Sequence, residues 1–329
     1  MGKNRTKRDR LFSLYASNLS IYCPHITDQF LCPICLRLFD RDALICESPE
    51  ITLAHIVPHS MGGHLCTLTC RKCNNDIGFD YDSQIKNEKN LYDWEKGIDK
   101  VCASLNYDGG NVPVYLWHTT KDNYFSENSN IKLDWVNLRE PSYQKFIRDL
   151  RTSENNAIQV SITTKRLYDR KKLEISLLHS AFLMMFSQLG YEYILSSNAD
   201  GVRRIILGRK NSENWREGVL YFPITAVPNY SLPFIGVLIE PREICSFYVA
   251  LPFTRTDKRV RIVILPGFDE EGKNIYDRLL EVGKRESKIS YKLVGVPNIF
   301  RIDGVIHSLD NSKHAGFGKW LWTRYVAEI

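Results

Sequence analysis

Residues 52–78 read TLAHIVPHSMGGHLCTLTCRKCNNDIG, with three histidines, three cysteines, a Gly-Gly pair and two adjacent asparagines. The apolar run before Pro58 predicts a strand, because proline interrupts the pairing of strands. Gly62 and Gly63 predict a turn, and the run LCTLTC after them predicts a second strand. A helix is expected to open at CRKCNN. The stretch therefore predicts a β-hairpin followed by a helix.

Two Cys-x-x-Cys pairs flank the first predicted strand of this hairpin. Cys32 and Cys35 lie in FLCPICLRLF, and Cys70 and Cys73 open the predicted helix. The chain has 9 cysteines, an odd number that argues against a full disulfide framework. Four thiolates suffice for a closed tetrahedral zinc site, which is structural because no coordination position stays open. A zinc finger or ribbon without catalysis uses the same thiolates and is the alternative.

Composition bounds the class of protein. The chain has 329 residues, 43% of them hydrophobic and 25% charged, as expected of a soluble globular protein with two domains. No apolar run reaches the roughly 18 residues that a membrane span needs. The charged N-terminus lacks the apolar core of a secretory signal. We therefore expect a cytoplasmic protein that does not contact a membrane.

Positive charge is concentrated near the N-terminus, within a net charge of +6. Such a block attracts phosphate backbones through the release of counterions. A solvated, frayed terminus is the alternative. The predicted nucleic-acid-binding residues are the basic residues of the first ten positions and of the second cysteine pair: Lys3, Arg5, Lys7, Arg8, Arg10, Arg71 and Lys72.

Taken in order, these elements resemble the HNH, or ββα-metal, endonuclease motif over roughly residues 30–82. They resemble most the branch with two Cys-x-x-Cys pairs, which includes phage Holliday-junction resolvases. The resemblance is carried by CPIC at 32–35, LAHIVPHSMGG at 53–63 and LTCRKCNNDIG at 68–78. It implies a metal-dependent endonuclease that hydrolyses DNA phosphodiester bonds. Zinc and a catalytic Mg²⁺ or Mn²⁺ would occupy separate sites.

The resemblance also assigns roles to single residues. His55 would be the general base that takes a proton from the attacking water, a task suited to an imidazole at cellular pH. Asn74 would bind the catalytic cation through its amide oxygen. Most HNH proteins carry Asp, Glu or His before the base as a second metal ligand, and this chain has Ala54 there.

Three accounts of Ala54 are open. Another side chain can replace the missing ligand, with His59 as the leading candidate beside His64, Asp76 and Asp80. Alternatively, Asn74, substrate phosphate and water hold the cation, since Mg²⁺ often has few protein ligands. Finally, the module can be inactive, and the chain is then a nucleic-acid-binding or complex-forming protein of HNH fold.

The predicted fold class is α+β, an HNH module followed by a mixed, mainly antiparallel domain. A helix is expected at 6–18, and the apolar spacing over 82–105 predicts an amphipathic helix. Strands are expected at 112–118, 131–138, 157–163, 234–240, 246–253 and 259–268. A buried helix over 173–190, ending at Gly190, interrupts them and holds His179 as a core residue. The predicted domains are a basic helix (1–24), the HNH module (25–82), a linker helix (83–110) and a recognition or regulatory domain (111–329).

The domain at 111–329 shows no nucleotide-binding glycine loop or catalytic triad. We expect it to select the DNA target or to receive a partner protein or activating complex. A role in restriction or antiphage defence fits such an architecture by analogy alone. An RNA-directed nuclease is a weaker alternative.

Overall fold

The computed structural model describes residues 2–45, 48–58, 63–78, 83–118, 131–153, 158–164, 168–208, 221–224, 233–252, 260–268, 275–285, 292–295, 319 and 322–323. The chain forms two compact units, one of Met1–Ser83 with Arg170–Ile329 and one of Gln84–Asp169. Helices and small antiparallel sheets occur in both, so the α+β class is confirmed. The sequence instead predicted a separate domain from residue 111 onward. The first unit joins two stretches that are distant along the chain.

The first unit begins with a long helix and two small hairpins. Helix α1 spans Gly2–Tyr22, and strands β1 (Gln29–Leu31) and β2 (Leu38–Asp40) pair antiparallel. A 3-10 turn at Arg41–Leu44 follows, then strands β3 (Ile51–His55) and β4 (Cys66–Cys70) and helix α2 (Arg71–Ile77). The predicted order of hairpin and helix is thus present.

Helix α1 is longer than the predicted 6–18 and is helical from Gly2. Its apolar residues recur at helical spacing and are buried along one side: Leu11, Phe12, Tyr15, Ala16 and Leu19. Burial of this stripe stabilises the helix, because an isolated segment of this length would be only marginally helical in water. The basic residues therefore lie on an ordered helix, and a frayed terminus is not what the chain forms.

The C-terminal part of this unit is a sheet covered by a buried helix. Helix α5 (Arg170–Ile194) contains the predicted 173–190, and Gly190 breaks it with φ 58° and ψ −143°. Helix α6 (Ser197–Ile206) follows. The sheet has five strands in the order β13-β10-β11-β12-β9: β9 (Tyr221–Ile224), β10 (Phe234–Glu240), β11 (Ser246–Pro252), β12 (Val260–Leu265) and β13 (Lys292–Gly295). Helix α7 spans Ile275–Arg285.

Helix α5 is long and apolar enough to cross a membrane by composition, but 94% of its most apolar window is buried inside the protein. Such burial is typical of the core helix of a soluble protein.

The N-terminal and C-terminal parts of this unit share one core. The ring of Tyr15 stacks on Phe186 of α5 with 4.3 Å between centroids. The Tyr191 hydroxyl donates to the carbonyl of Leu31 (2.6 Å) and accepts from its amide (3.0 Å). The Asn18 side chain accepts from the Tyr191 amide at 2.8 Å. The polypeptide that enters the first cysteine pair is therefore fixed by residues at the end of α5.

The second unit is a four-stranded antiparallel sheet with a helix on one face. Helix α3 is Ser83–Glu95, and strands β5 (Val101–Tyr107), β6 (Gly110–His118), β7 (Ile131–Trp135) and β8 (Ser161–Thr164) pair in the order β7-β6-β5-β8. Helix α4 (Pro141–Thr152) buries Phe146 against the sheet.

The helix predicted over 82–105, the expected linker of 83–110, ends early and is wrong beyond Glu95. Gly97 adopts a positive φ of 67°, a conformation that terminates helices at low cost only for glycine. Ile98, which the prediction placed on the apolar face, is exposed. Val101 and Leu105 are buried as residues of strand β5, where one face of the strand meets the core.

Candidate metal centre and hairpin site

The four cysteines of the two pairs meet at one point. Cys32 follows β1, Cys35 lies in the turn before β2, Cys70 ends β4, and Cys73 lies in the first turn of α2. Their sulfur atoms all lie within 4.8 Å of one another, and Cys35 and Cys70 are 3.7 Å apart. A tetrahedral zinc site with Zn–S bonds of about 2.3 Å has sulfurs roughly 3.8 Å apart. The cluster therefore fits a structural zinc ion.

Backbone amides and one arginine surround the sulfurs. The amide of Cys70 donates to Cys32 Sγ, and the amide of Cys73 donates to Cys70 Sγ, both at 3.4 Å. The Arg37 guanidinium lies 3.7 Å from Cys70 Sγ, and this contact raises the pKa of Arg37. Sequence reasoning missed Arg37, although a basic residue two positions after a cysteine pair is a usable signal. These donors stabilise negative charge on the sulfurs.

Close packing of the four thiols shifts their pKa values in opposite directions. Burial raises the pKa of Cys32, and hydrogen bonding to Cys32 raises that of Cys73. Hydrogen bonding from Cys32 lowers the pKa of Cys35 and, for Cys70, lowers it to about 6. Four thiols this close together cannot all ionise without a compensating positive charge. A divalent cation at the centre removes that restriction, because thiolates are the form that binds metal.

The hairpin pairing fixes which residues share a face. Ala54 lies opposite Thr67, and His55 lies opposite Cys66. Successive side chains of a strand point to opposite faces, so Thr52, Ala54 and Thr67 share one face, and His55 and Cys66 share the other. Ala54 is 1% exposed, whereas His55, the last residue of β3, is exposed.

Helix α2 brings Asn74 to the face of Ala54. The Asn74 amide nitrogen donates to the Thr52 hydroxyl at 3.2 Å, which orients the carboxamide and leaves its oxygen to accept. Thr52 is a positioning residue that sequence reasoning missed, and its place two residues before Ala54 on the same face was the available signal. Asn74 and His55 thus lie on neighbouring elements, on opposite faces of β3.

Oxygen donors for a catalytic cation are few on this face. Ala54 offers none. The Thr69 hydroxyl, opposite Thr52, is buried and has no hydrogen-bond partner among the described residues. The Asn74 carboxamide and the Thr69 hydroxyl are the oxygen groups that these residues add to the face.

The candidates for a substitute ligand lie in different places. Asp76 is exposed and forms an ion pair with Lys72 at 2.9 Å. It is two residues beyond Asn74, about 200° around the helix, so it faces away from the hairpin. His64 is exposed and lies two residues before the start of β4. His59 and Asp80 lie outside the described residues.

The predicted DNA-binding cations are distributed over α1 and α2. Arg5 and Arg10 are exposed on α1, and Lys7 and Arg8 are half-buried there. Lys3 belongs to the same helix. Arg71 contacts the Ser48 hydroxyl, and Lys72 is paired with Asp76, which reduces what it can contribute to an anion.

Comparisons of the chain with protein-family models, with curated proteins and with solved structures gave no significant match.

Proposed function

We propose that the chain is a metal-dependent HNH endonuclease acting on DNA, with residues 30–82 as a zinc-stapled ββα module. The observation that supports this most is the order of elements: a hairpin strand that ends at the exposed His55, followed by a helix whose Asn74 side chain is oriented by Thr52 of that strand. The four-cysteine cluster joins the polypeptide after β1 to the end of β4 and to α2. This order of elements is also the one that carries the sequence resemblance.

In the proposed reaction, water is added across a phosphodiester bond. His55, which is exposed, accepts a proton from the attacking water at an imidazole nitrogen. The water oxygen bonds to phosphorus as the bond to the 3′ oxygen breaks, and that oxygen leaves with a proton from solvent. The Asn74 oxygen would hold the divalent cation. When bound, Mg²⁺ or Mn²⁺ supplies positive charge that stabilises the transition state.

A plasmid cleavage assay tests this proposal. Supercoiled plasmid incubated with the protein and Mg²⁺ or Mn²⁺ is expected to become nicked and linear, and chelation should stop the conversion. His55→Ala should lower the rate by about a hundredfold or more. His25→Ala, which removes another exposed histidine, is the matched control and should cut like the wild type. Equal cutting by His55→Ala and wild type would overturn the proposed mechanism.

A second candidate function is favoured by Ala54. Its side chain cannot bind metal, and it is enclosed opposite the Thr67 hydroxyl, which is already bonded to Tyr15. An inactive HNH-fold protein that binds nucleic acid or forms a complex would tolerate this arrangement. Absence of cutting with either metal, together with salt-dependent binding of duplex DNA, would favour this candidate.

The wider setting is part of the same proposal. Restriction or antiphage defence in the cytoplasm suits a nuclease whose remaining chain selects a target or receives a partner protein. Structured RNA offered in the same assay tests the weaker alternative of an RNA-directed nuclease.

A further inference from the structure

The sheet of the second unit has a second face, opposite the one that packs on α4. The side chains of Val112, Val114 and Leu116 on β6 are buried in the core that contains Phe146 of α4. Successive side chains of a strand point to opposite faces, so Tyr115 and Trp117 point away from α4. Both are half-buried. Two large aromatic side chains therefore lie side by side on the face that α4 does not cover.

Strand pairing places a lysine on each side of these two rings. On β7, Lys132 lies opposite Trp117, and Asp134 lies opposite Tyr115. Lys100 directly precedes β5, and its ammonium lies 3.8 Å from the ring centroid of Tyr115 and 5.5 Å from that of Trp117. Both lysines are exposed. An anion beside the rings can therefore reach an ammonium on either side.

The carboxylates near these lysines already accept hydrogen bonds. The Trp117 indole N–H donates to Asp134 at 2.6 Å, and the Lys100 amide donates to Asp99 at 2.7 Å. The first bond fixes the orientation of the Trp117 ring, so little conformational entropy is lost when a ligand stacks on it. The two carboxylates also offset the two ammonium groups. A ligand of this face is therefore held mainly by stacking and only secondarily by charge.

The rest of this face carries amide and hydroxyl groups. Ser104 and Asn106 flank the buried Leu105 on β5, so they share the face of Tyr115 and Trp117. The Asn106 side-chain nitrogen donates to the Thr163 hydroxyl of β8 at 2.9 Å. Amides and hydroxyls both donate and accept, as the edges of unpaired bases require. Aromatic rings beside such groups and lysines are typical of surfaces that bind single-stranded nucleic acid.

A base stacked on these rings would displace the ammonium of Lys100. Stacking of one base strengthens binding by about 5- to 150-fold, whereas an exposed contact between an ammonium and a ring contributes about 2- to 5-fold. The Lys100 side chain is flexible, so its ammonium can turn from the ring to a neighbouring phosphate. Residues two apart on a strand are separated by about 7 Å, so Tyr115 and Trp117 can each take one base.

We propose that this face, formed by Tyr115, Trp117, Lys100 and Lys132, binds single-stranded DNA. One base stacks on each ring, and the two lysines contact phosphates. A duplex cannot use the rings, because its bases are stacked on one another. Binding itself does not depend on the nuclease, but the choice of DNA over RNA rests on the proposed function.

Fluorescence anisotropy of a labelled oligo-dT of about 12 nucleotides tests the site in the full chain. Mg²⁺ and Mn²⁺ are left out so that no DNA is cut. Tyr115→Ala and Trp117→Ala should each weaken binding by about tenfold. Tyr115→Phe and Trp117→Phe keep a ring and should stay within about twofold of the wild type. None of the four should change binding of a duplex of the same length.

Tyr92→Ala is the matched control. Tyr92 is half-buried on α3, and the Lys96 ammonium lies 5.8 Å from its ring centroid. The substitution thus removes a tyrosine ring beneath an ammonium elsewhere in the same unit, and oligo-dT binding should stay within about twofold of the wild type. Equal weakening by Tyr92→Ala and Tyr115→Ala, or tighter binding of the matching RNA, would overturn the inference. Thermal unfolding shows whether each variant is folded.

Lys100→Gln tests the site without changing a ring. One phosphate contact contributes about 0.7 to the slope of log K against log salt for a single strand, so Lys100→Gln should make the slope shallower by about that amount. Lys96→Gln should leave the slope unchanged. The same slope in Lys100→Gln and wild type would contradict a phosphate contact at Lys100.

Plasmid cleavage separates this inference from the proposed function. His55→Ala should bind oligo-dT like the wild type, because His55 is not part of this face. Ring-dependent binding of oligo-dT by a protein that cuts no plasmid would retain the site and remove the nuclease. Cutting that requires His55, in a protein that does not bind oligo-dT, would retain the nuclease and refute the site.

Discussion

The hydroxyls of Tyr15 and Thr67 lie 2.5 Å apart and share a buried hydrogen bond between α1 and the hairpin. Burial raises the pKa of Tyr15, so the phenol stays protonated within this bond. Tyr15→Phe would leave the Thr67 hydroxyl buried without this partner. We expect a loss of about 1–3 kcal/mol in the free energy of unfolding, measured by urea denaturation.

A double-mutant cycle isolates this hydrogen bond. Thr67→Val removes the partner hydroxyl, so Tyr15→Phe made in the Thr67→Val background should cost less than it does alone. Strictly additive losses would mean that the bond does not couple the two elements.

One zinc ion per chain is expected in the purified protein, measured by elemental analysis. Cys32→Ser or Cys70→Ser should lose it, and removal of zinc should unfold residues 25–82, seen as rapid amide hydrogen exchange there. Cys66→Ser is the control, because Cys66 lies four residues from Cys70 but outside the sulfur cluster. Folded, soluble protein without zinc would contradict this assignment.

Two glycines should respond in opposite directions to alanine. Gly190 has φ 58° and ψ −143°, which an L side chain adopts only with strain, so Gly190→Ala should destabilise the protein by about 1–3 kcal/mol. Gly201 lies within α6, and a Cβ there would meet nothing within 4 Å. Gly201→Ala should therefore stabilise by about 0.4–1 kcal/mol. Thermal unfolding of both variants measures the two effects. Equal changes in Tm would contradict the predicted difference between the two glycines.

His179 should make stability depend on pH. Burial lowers its pKa to about 4, and its Nε2 has no hydrogen-bond partner among the described residues. The unfolded chain binds this proton near pH 6.5, so stability is complete above that pH and is lost as pH falls toward 4. The full loss is about 3 kcal/mol.

Denaturation of wild type and His179→Leu between pH 7 and 4.5 measures this contribution. The free energy of unfolding of His179→Leu should fall less between pH 7 and 4.5 than that of the wild type. His25→Ala, at an exposed histidine, should show the same decrease as the wild type. Parallel curves for His179→Leu and wild type would show that the buried imidazole does not titrate in this range.

Features encoded in short segments could be predicted. The cysteine pairs, the hairpin at Ile51–Cys70 and the break at Gly190 depend on neighbouring residues, and the structure places each as expected. The buried position of His179 in an apolar helix is confirmed as well.

Features that depend on packing between distant parts of the chain could not be predicted from the sequence. The apolar spacing of Ile85 and Trp94 fits a helix, but the same spacing carried through Ile98 ignored the positive φ of Gly97. Burial of Glu88 and Asp93 on α3 also departs from an amphipathic pattern. No local signal joins α1 to α5, since Tyr15 and Phe186 meet only in the folded chain. The nuclease assignment remains a prediction.

The hydrogen bonds from Tyr191 to both backbone groups of Leu31 limit how the N-terminal segment can be separated from α5. A gene segment that encodes residues 1–83 alone would lack the tyrosine that satisfies this backbone and the aromatic rings that cover α1. Recombination that separates the cysteine-rich segment from α5 would therefore yield a chain with an exposed apolar surface. The cysteine-rich segment thus depends for its packing on a tyrosine 160 positions further along the chain.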